Sequence, residues 1–349
     1  MYIYILPISG GRFPNQLAGL RVIGRTGIKP DVVMACSGGN ICAYSAMYAD
    51  WLIDKKMDMI LQNLYNLLSI ETWTSPMFNF LPNAISLFRY GTVFKSIGNE
   101  NTFKRCYTTT SIKKTEIWTN VFNCLHDRME CFCNMGPDEA ILKPDHVDPT
   151  YALPPVYMDG NIDTAYLVSK ASASVPTIFP QVWINNQPYS DGGVVASSPL
   201  VYFGPTLQKL MKTQPIHFIY MNPRPLKNSF SYDGDSINYT MKMMILNMGR
   251  FNLFSDEVLI RTLMASFGEI HTKVIDNGTD KDLIQWYENQ KYYLHSFLEM
   301  TPKSNYHIDI LNVDQTRISE IVDEVSENYA IRLWWVEKDK CEKDIHQPT

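Results

Sequence analysis

The sequence predicts an α/β fold with a mixed, mainly parallel central sheet and helices on both sides. Residues 1–60 alternate short apolar runs with segments of helical periodicity, a pattern typical of parallel strands joined by helices. A glycine pair follows each of the first two runs, where a strand would pass into a loop. Hydrophobic residues make up 45% of the 349 positions and charged residues 19%, so the chain can bury a large core.

The N-terminal elements are predicted from these runs and from their glycine and proline punctuation. Tyr2–Leu6 is a β-branched and aromatic run that ends at a proline, which favours a buried strand. Residues 14–27 have helical spacing and end at a glycine. Residues 31–34 predict a second strand, and a helix follows the turn that carries Ser37.

Further elements follow along the chain. Two apolar runs that turn at His126 and Asp127 predict a hairpin of residues 116–123 and 129–133. Small residues from 162 to 174 predict a helix, and residues 216–221 predict another buried strand. The final helix is marked by apolar residues at helical spacing between 318 and 329.

Charge and hydropathy indicate how the protein could interact with nucleic acids and membranes. The net charge is -5 without a cluster of lysine or arginine, which gives no electrostatic support to nucleic-acid binding. The N-terminus lacks the features of a signal peptide, and no uncharged apolar stretch reaches the ~20 residues of a transmembrane helix. We therefore expect a cytoplasmic protein whose contact with membranes is transient, peripheral and made through apolar groups.

Ser37 is the first candidate catalytic residue. It stands between a predicted strand and a helix and is followed by Gly38 and Gly39, as in a nucleophile elbow, where small neighbours permit a very sharp turn. Ala35 takes the first position of the usual G-x-S-x-G pattern. A Ser-Gly-Gly turn after a strand is also compatible with an ordinary strand–helix connection or a phosphate-binding loop.

Two further loops carry groups that fit a serine nucleophile. Gly10, Gly11 and Arg12 directly follow the first strand, where free backbone N–H groups can stabilise an oxyanion. Asp191, followed by two glycines at a strand end, is a candidate base, because a serine nucleophile needs one within hydrogen-bond reach. A tight turn and a turn aspartate are the alternatives for these loops. Neighbouring parallel strands would place the first loop and Ser37 at one edge of the sheet.

In order along the chain, these motifs resemble the patatin-like phospholipase family. The resemblance covers roughly residues 1–222 and is carried by five short segments. These are Ser9-Gly10-Gly11-Arg12, Cys36-Ser37-Gly38-Gly39, residues 171–180, Ser190-Asp191-Gly192-Gly193-Val194-Val195, and Ser197-Ser198-Pro199-Leu200.

The resemblance implies a three-layer α/β/α domain that hydrolyses fatty-acyl esters of lipids, as a phospholipase A or lysophospholipase does. Ser37 would attack the ester carbonyl, Asp191 would take its proton, and Gly10, Gly11 and Arg12 would form the oxyanion hole. Such chemistry needs no metal or organic cofactor. The partner would be a lipid or phospholipid substrate, and the sequence does not reveal an activating protein.

Departures from the family pattern leave a second function open. Ala35 replaces a glycine, and the first glycine loop is shorter than the three-glycine stretch of the family, with Arg12 directly after its second glycine. A catalytically weak or inactive lipid-binding or interaction module would keep the same fold. The presence of both Ser37 and Asp191 favours the enzyme.

Two other kinds of site are compatible with the sequence. An α/β-hydrolase would use a histidine after the acid, and the candidates available in that direction are His217, His271, His295 and His307. The hairpin also brings together two Cys-containing pairs that could bind zinc, although their one-residue gaps are unusual for such sites: Cys124 with His126 and Cys131 with Cys133.

Domain organisation is expected to follow the resemblance. Residues 1–222 would form the catalytic domain, with a helical insertion at 51–110. This insertion is either a packed helical layer or a lid whose side chains touch lipid, and the candidate lid residues are Trp73, Met77, Phe78 and Phe80. Residues 223–349 would form a mostly helical extension packed on the same domain.

Overall fold

A computed structural model gives the fold of the chain. It describes residues 1–67, 70–71, 96–97, 100–145, 147–176, 178–225, 255–304, 306–308 and 314–338. Trp73, Met77, Phe78 and Phe80, and with them the lid hypothesis, lie outside the described residues. Within the described ranges, no helix is long and apolar enough to cross a membrane.

Eleven of the described strands form one sheet. Along most of its width the strand order is β11-β13-β12-β10-β1-β2-β5-β6-β7, and β9 pairs with both β5 and β8. The five consecutive strands β12, β10, β1, β2 and β5 run parallel to one another. The bounds are β1 Tyr2–Leu6, β2 Val32–Ala35, β5 Glu116–Asn123, β6 Arg128–Cys133, β7 Val156–Tyr157, β8 Val182–Ile184, β9 Gln187–Asp191, β10 Ile216–Met221, β11 His271–Ile275, β12 Tyr293–Pro302 and β13 Tyr329–Glu337. Two short strands, β3 Ile70–Glu71 and β4 Ser96–Ile97, pair with each other.

Helices cover both faces of the sheet. Their bounds are α1 Phe13–Arg25, α2 Gly38–Tyr48, α3 Met57–Leu67, α4 Glu100–Cys106, α5 Thr109–Ile112, α6 Ile162–Ser172, α7 Gly204–Met211, α8 Asp280–Asn289 and α9 Gln315–Glu327, and residues 255–265 are also helical.

Alternating side chains of the central strands enter two different cores. On β1, Tyr4 and Leu6 belong to one cluster of buried residues, together with side chains of α1, α2, α6 and α9. Ile3 and Ile5 belong to a second cluster, with side chains of α7 and of the helix at 255–265. Since successive residues of a strand point to opposite faces, the clusters lie on the two sides of the sheet. The three-layer α/β/α fold with a mainly parallel sheet is thus confirmed.

The sheet offers one edge at which the candidate motifs converge. Leu6 ends β1 and is paired with Ala35, which ends β2. β5 continues for four residues beyond its pairing with β2, and β9 pairs antiparallel with this projecting part. The loops after β1 and β2 and the end of β9 therefore meet at the carboxyl edge of the parallel strands, where such sheets bind their ligands.

The described part of the chain after residue 223 contains strands that the sequence analysis did not predict. Its described residues form β11, β12 and β13 as well as helices, and these strands extend the same sheet beyond β10. The expectation of a mostly helical extension stays a prediction, because residues 226–254 lie outside the described residues. β12 is buried along nearly its whole length, including the polar His295, Ser296, Glu299 and Thr301, so its sequence lacks the alternation of apolar and polar residues that marks a half-buried strand.

Candidate active site

Ser37 lies on a sharp turn between β2 and α2. Its backbone angles are φ 54° and ψ -127°, a region that non-glycine residues seldom occupy and that costs of order 1–3 kcal/mol. β2 ends two residues earlier at Ala35, and α2 begins at the next residue, Gly38. This is the strained strand–turn–helix geometry of a nucleophile elbow.

The two glycines after Ser37 are required by close packing. A Cβ at Gly39 would lie 2.1 Å from the carbonyl oxygen of Leu6, and a Cβ at Gly38 would lie 2.4 Å from Ser9 Oγ. The start of α2 thus lies directly against the end of β1 and the loop that follows it. Ala35, the departure at the first elbow position, is fully buried at the end of β2.

Asp191 is placed beside Ser37 by the antiparallel pairing of β9 with β5. Val121 on the projecting part of β5 is paired with Asp191, and the Asp191 N–H donates to Ser174 O at 3.0 Å. The Ser37 hydroxyl donates to Asp191 Oδ2 at 2.7 Å. Side chains 154 positions apart in sequence therefore form a direct hydrogen bond, and they are only 3% and 1% exposed.

Burial changes the acidity of this carboxyl group. It raises the pKa of Asp191 to about 6, although hydrogen bonds from Gly193 N, Ser37 and Cys36 act in the opposite direction. The Gly193 N–H donates to Asp191 Oδ1 at 2.8 Å and leaves Oδ2 to Ser37. A carboxylate with this pKa is a stronger base than an exposed aspartate and is still largely ionised at neutral pH.

Ser172, at the end of α6, holds the backbone of the elbow. Its hydroxyl accepts a hydrogen bond from the Ser37 N–H at 2.9 Å and donates to Asn120 O on β5 at 3.1 Å. The sequence marks Ser172 only as part of the segment 171–180. Its contact with Ser37 spans 135 positions, and no local pattern predicts a contact of that length.

The first glycine loop provides backbone donors next to the elbow. Gly10 has φ +52° and begins a single 3₁₀ turn that ends at Arg12. Among the described residues, the N–H groups of Gly10 and Gly11 have no acceptor, and neither does that of Gly38. The Arg12 N–H instead donates to Ser9 O at 3.0 Å, so this turn uses the donor that the sequence assigned to the oxyanion hole. Burial of the Arg12 side chain lowers its pKa.

Gly38 is a donor that the sequence analysis did not name. The Cβ position of Gly38 is 3.0 Å from Gly10 O, so its amide lies beside the first glycine loop. The N–H of the residue after the nucleophile is a usual oxyanion donor on elbows of this type, and that rule could have identified it from the sequence.

The four histidines considered for an α/β-hydrolase have other surroundings. His217 is paired with Tyr2 at the start of β1, so it lies at the amino ends of the parallel strands, whereas Ser37 lies at their carboxyl ends. His295 lies beside it and accepts a hydrogen bond from Ile216 N, and His271 lies on the edge strand β11. His307 is exposed and precedes Ile308, whose N–H donates to Gly11 O at 2.8 Å. Within the described parts of the chain, no histidine is hydrogen-bonded to Ser37 or Asp191.

The zinc alternative has no support in the described residues. Cys131 and Cys133 are buried, and Cys124 donates to Ser190 Oγ at 3.6 Å. In the described ranges, no three His, Cys, Asp or Glu side chains are grouped closely enough to hold a metal ion.

Comparison with known proteins identifies the family of this α/β/α hydrolase fold. The patatin-like phospholipase family model matches residues 10–203, which is more than half of the chain. The chain therefore belongs to the patatin-like phospholipase family, whose members are lipid acyl hydrolases. Membership implies hydrolysis of lipid esters in general terms.

Other comparisons add little to this assignment. The crystal structure of VipD from Legionella pneumophila is 10% identical to this chain, with coverage of 93% of this chain and 67% of that one and a TM-score of 0.34. That score is too low to support an argument. No curated protein matches the chain.

Proposed function

We propose that the protein hydrolyses fatty-acyl esters of lipids, as a phospholipase A or lysophospholipase, with Ser37 as nucleophile and Asp191 as base. The observation that carries this proposal is the 2.7 Å hydrogen bond from Ser37 Oγ to Asp191 Oδ2 at a strained elbow. Nucleophile, base and backbone donors lie at one edge of the sheet, which is the arrangement that acyl transfer requires.

In the acylation step, Ser37 Oγ attacks the ester carbonyl carbon and its proton passes to Asp191 Oδ2. The carbonyl oxygen becomes an oxyanion, for which the N–H groups of Gly38, Gly10 and Gly11 are the nearest donors. The tetrahedral intermediate then collapses. The bond to the alcohol oxygen breaks, the alcohol takes the proton from Asp191, and the acyl group stays on Ser37 as an ester.

In the deacylation step, water replaces the alcohol. Asp191 accepts a proton from the water as its oxygen attacks the acyl carbon, and the same donors hold the second oxyanion. The bond between the acyl carbon and Ser37 Oγ then breaks, and Ser37 recovers a proton from Asp191. The free fatty acid leaves and the enzyme returns to its starting state.

Burial lets an aspartate act here without a histidine. With a pKa of about 6, the Asp191 carboxylate is a competent general base near neutral pH. Its second oxygen is held by Gly193 N, which fixes the orientation of the carboxylate toward Ser37.

An alkyl fluorophosphonate, which reacts with activated serines, tests the nucleophile. We expect covalent labelling of the wild type and its loss in Ser37→Ala. Ser45→Ala is a matched control, because Ser45 is buried on the same helix and its hydroxyl has no described hydrogen-bond partner. Absence of labelling in a folded wild type would contradict the proposal and favour a lipid-binding module.

A panel of acyl esters tests the base and the substrate class. Asp191→Asn should lose activity on phospholipid, lysophospholipid and neutral-lipid esters alike, since the base acts in both chemical steps. Glu116→Gln is the control, because Glu116 is a buried carboxylate at the start of β5, away from the candidate site. Equal activity of Asp191→Asn and the wild type would refute the assignment of the dyad.

A further inference from the structure

The segment after Asp191 connects the base to the first glycine loop. Ser197 and Ser198 are completely buried. Ser197 O accepts a hydrogen bond from Ile8 N at 2.8 Å, and Ile8 comes immediately before the loop of residues 9–12. The preceding carbonyl, Ala196 O, accepts from Asn120 Nδ2 at 3.0 Å. The position of residues 196–198 thus determines where the glycine loop begins.

Ile8 also contacts the turn that holds the base. A Cβ at Gly193 would lie 2.1 Å from Ile8 Cδ1, so the Ile8 side chain packs directly against the glycine whose N–H binds Asp191 Oδ1. A shift of Ile8 would therefore affect both the oxyanion donors and the base.

Asp256, which lies 59 positions after Ser197 in the sequence, binds the segment of residues 196–198. It lies on the helix at 255–265 and is only 2% exposed. Its Oδ2 accepts a hydrogen bond from the Ser197 hydroxyl, and the Tyr220 hydroxyl lies 3.5 Å from the same oxygen. A helix that follows the family-matched region thereby contacts the loop that carries the candidate base.

A carboxyl group in this position is expensive for the fold. Asp256 has no ion-pair partner among the described residues, and an unpaired buried charge is destabilising. Burial raises the pKa of Asp256 to about 7, against hydrogen bonds from Ser197, Ser198 and Tyr220. The titratable groups that interact with Asp256 are Tyr220 and Cys36, and Tyr220 also interacts with Glu257 and Glu299.

We propose that Asp256 is a positioning residue, which acts through Ser197 to hold the glycine loop and the Asp191 turn in register. The inference rests on the proposed function for its kinetic consequence, but its structural content does not need turnover. Asp256 touches neither Ser37 nor Asp191. It stabilises the spacing between the oxyanion donors and the nucleophile, to which rates of acyl transfer are very sensitive.

Glu257 offers a matched control on the same helix. Its carboxylate pairs with Arg332 on β13 at 3.0 Å and with Arg261 at 3.2 Å. The next residue along the helix thus carries an acid of similar size that binds side chains away from the catalytic loop.

Asp256→Asn, Ser197→Ala and Glu257→Gln, each in the full chain, test the proposal. For Asp256→Asn we expect kcat on an acyl ester to fall about tenfold with KM unchanged. Amide hydrogen exchange of residues 8–12 should become faster. Its Tm at pH 8 should not fall, because the variant no longer buries a charge. Ser197→Ala, which keeps the carbonyl bonded to Ile8, should change kcat and exchange in the same direction by less, and Glu257→Gln should change neither.

The outcomes separate this inference from the proposed function. If the wild type turns over and Asp256→Asn has normal kcat and normal exchange, the positioning role is refuted while the dyad stands. If Asp256→Asn loses activity only in proportion to a loss of folded protein, or if Glu257→Gln has the same effect, the role is refuted in favour of a general structural one. If the wild type shows no turnover, the proposed function fails, and the exchange of residues 8–12 alone decides the positioning role.

Discussion

Titratable groups are buried at both ends of the parallel strands, but the hydrogen bonds of these groups differ between the two ends. At the carboxyl edge, Ser37 and Asp191 share a hydrogen bond beside loops with backbone N–H groups that have no described acceptor. At the amino edge, His217 binds Ser296 and His295 accepts from a backbone N–H. Burial raises the pKa of Asp191 to about 6 and lowers those of His217 and His295 to about 3 and about 4.

A shifted pKa therefore does not by itself mark a catalytic site, since both ends of the strands carry groups with shifted pKa values. Each histidine forms a hydrogen bond to the neighbouring strand at its Nδ1, and burial lowers its pKa so that it stays neutral. What distinguishes the carboxyl edge is the combination of a strained serine, a basic carboxylate and glycine turns. These are the features that activate a nucleophile and receive a negative charge.

The largest expected difference is in catalysis. Ser37→Ala should lower kcat/KM for an acyl ester by about 10⁴-fold or more, because the proposed nucleophile is lost. His217→Gln, at the other edge, should keep kcat/KM within about twofold, since changes away from the reacting groups have small effects. Steady-state kinetics of both purified variants measure the contrast. A large loss in the folded His217→Gln variant would break it.

The next largest effect concerns the packing of the elbow. Gly39→Ala should destabilise the protein by about 3 kcal/mol, because its Cβ would lie 2.1 Å from a backbone oxygen that cannot move aside. Gly27→Ala is the control, with φ +79° and no atom within 4 Å of the new Cβ, and should cost only about 1–2 kcal/mol of backbone strain. Urea unfolding compares the two, and equal losses would show that the elbow is not tightly packed.

A pH-dependent gain in stability is expected when the base is neutralised. Burial raises the Asp191 pKa from 3.8 to about 6, so the folded state binds more protons than the unfolded state between these values. The wild type therefore loses up to about 3 kcal/mol of stability as the pH rises through this window. Asp191→Asn has no such loss and should be more stable than the wild type at pH 8 while similar at pH 4. Thermal unfolding at both pH values tests this, and lower stability of the variant at pH 8 would contradict it.

A smaller effect is expected for the residue that holds the elbow backbone. Ser172→Ala leaves the Ser37 N–H without its acceptor, which should cost about 1–3 kcal/mol in stability and lower kcat by roughly tenfold. Ser174→Ala is a useful control, because the Ser174 hydroxyl donates to Lys170 O within the neighbouring helix. Equal kinetics of the two variants would show that the hydrogen bond of Ser172 to the Ser37 N–H does not contribute to catalysis.

The elements of residues 1–222 were easier to predict from the sequence than those that follow. Strand β1, the elbow turn and the hairpin of β5 and β6 are local features, set by apolar runs, glycines and turn residues within a few positions. Strands β12 and β13 are buried on both faces, and β12 mixes polar with apolar residues, so neither strand shows the alternation that reveals a half-buried strand.

The parts of the candidate site that the sequence did not predict depend on long-range contacts. Ser172 reaches Ser37 across 135 positions, and Asp256 reaches Ser197 across 59. Only the order of strands in the sheet brings these residues together. The Arg12 N–H donates to Ser9 O, because the loop closes as a 3₁₀ turn that the sequence does not show.

The pH dependence of kcat/KM for wild type and Asp191→Asn tests whether Asp191 is the base that activates Ser37. This parameter reports the ionisation of the free enzyme, and the buried base has a pKa of about 6. We expect wild-type kcat/KM to rise through pH 6 to a plateau, and that of folded Asp191→Asn to be low and flat. A folded Asp191→Asn variant that keeps the wild-type plateau and inflection would show that another group is the base.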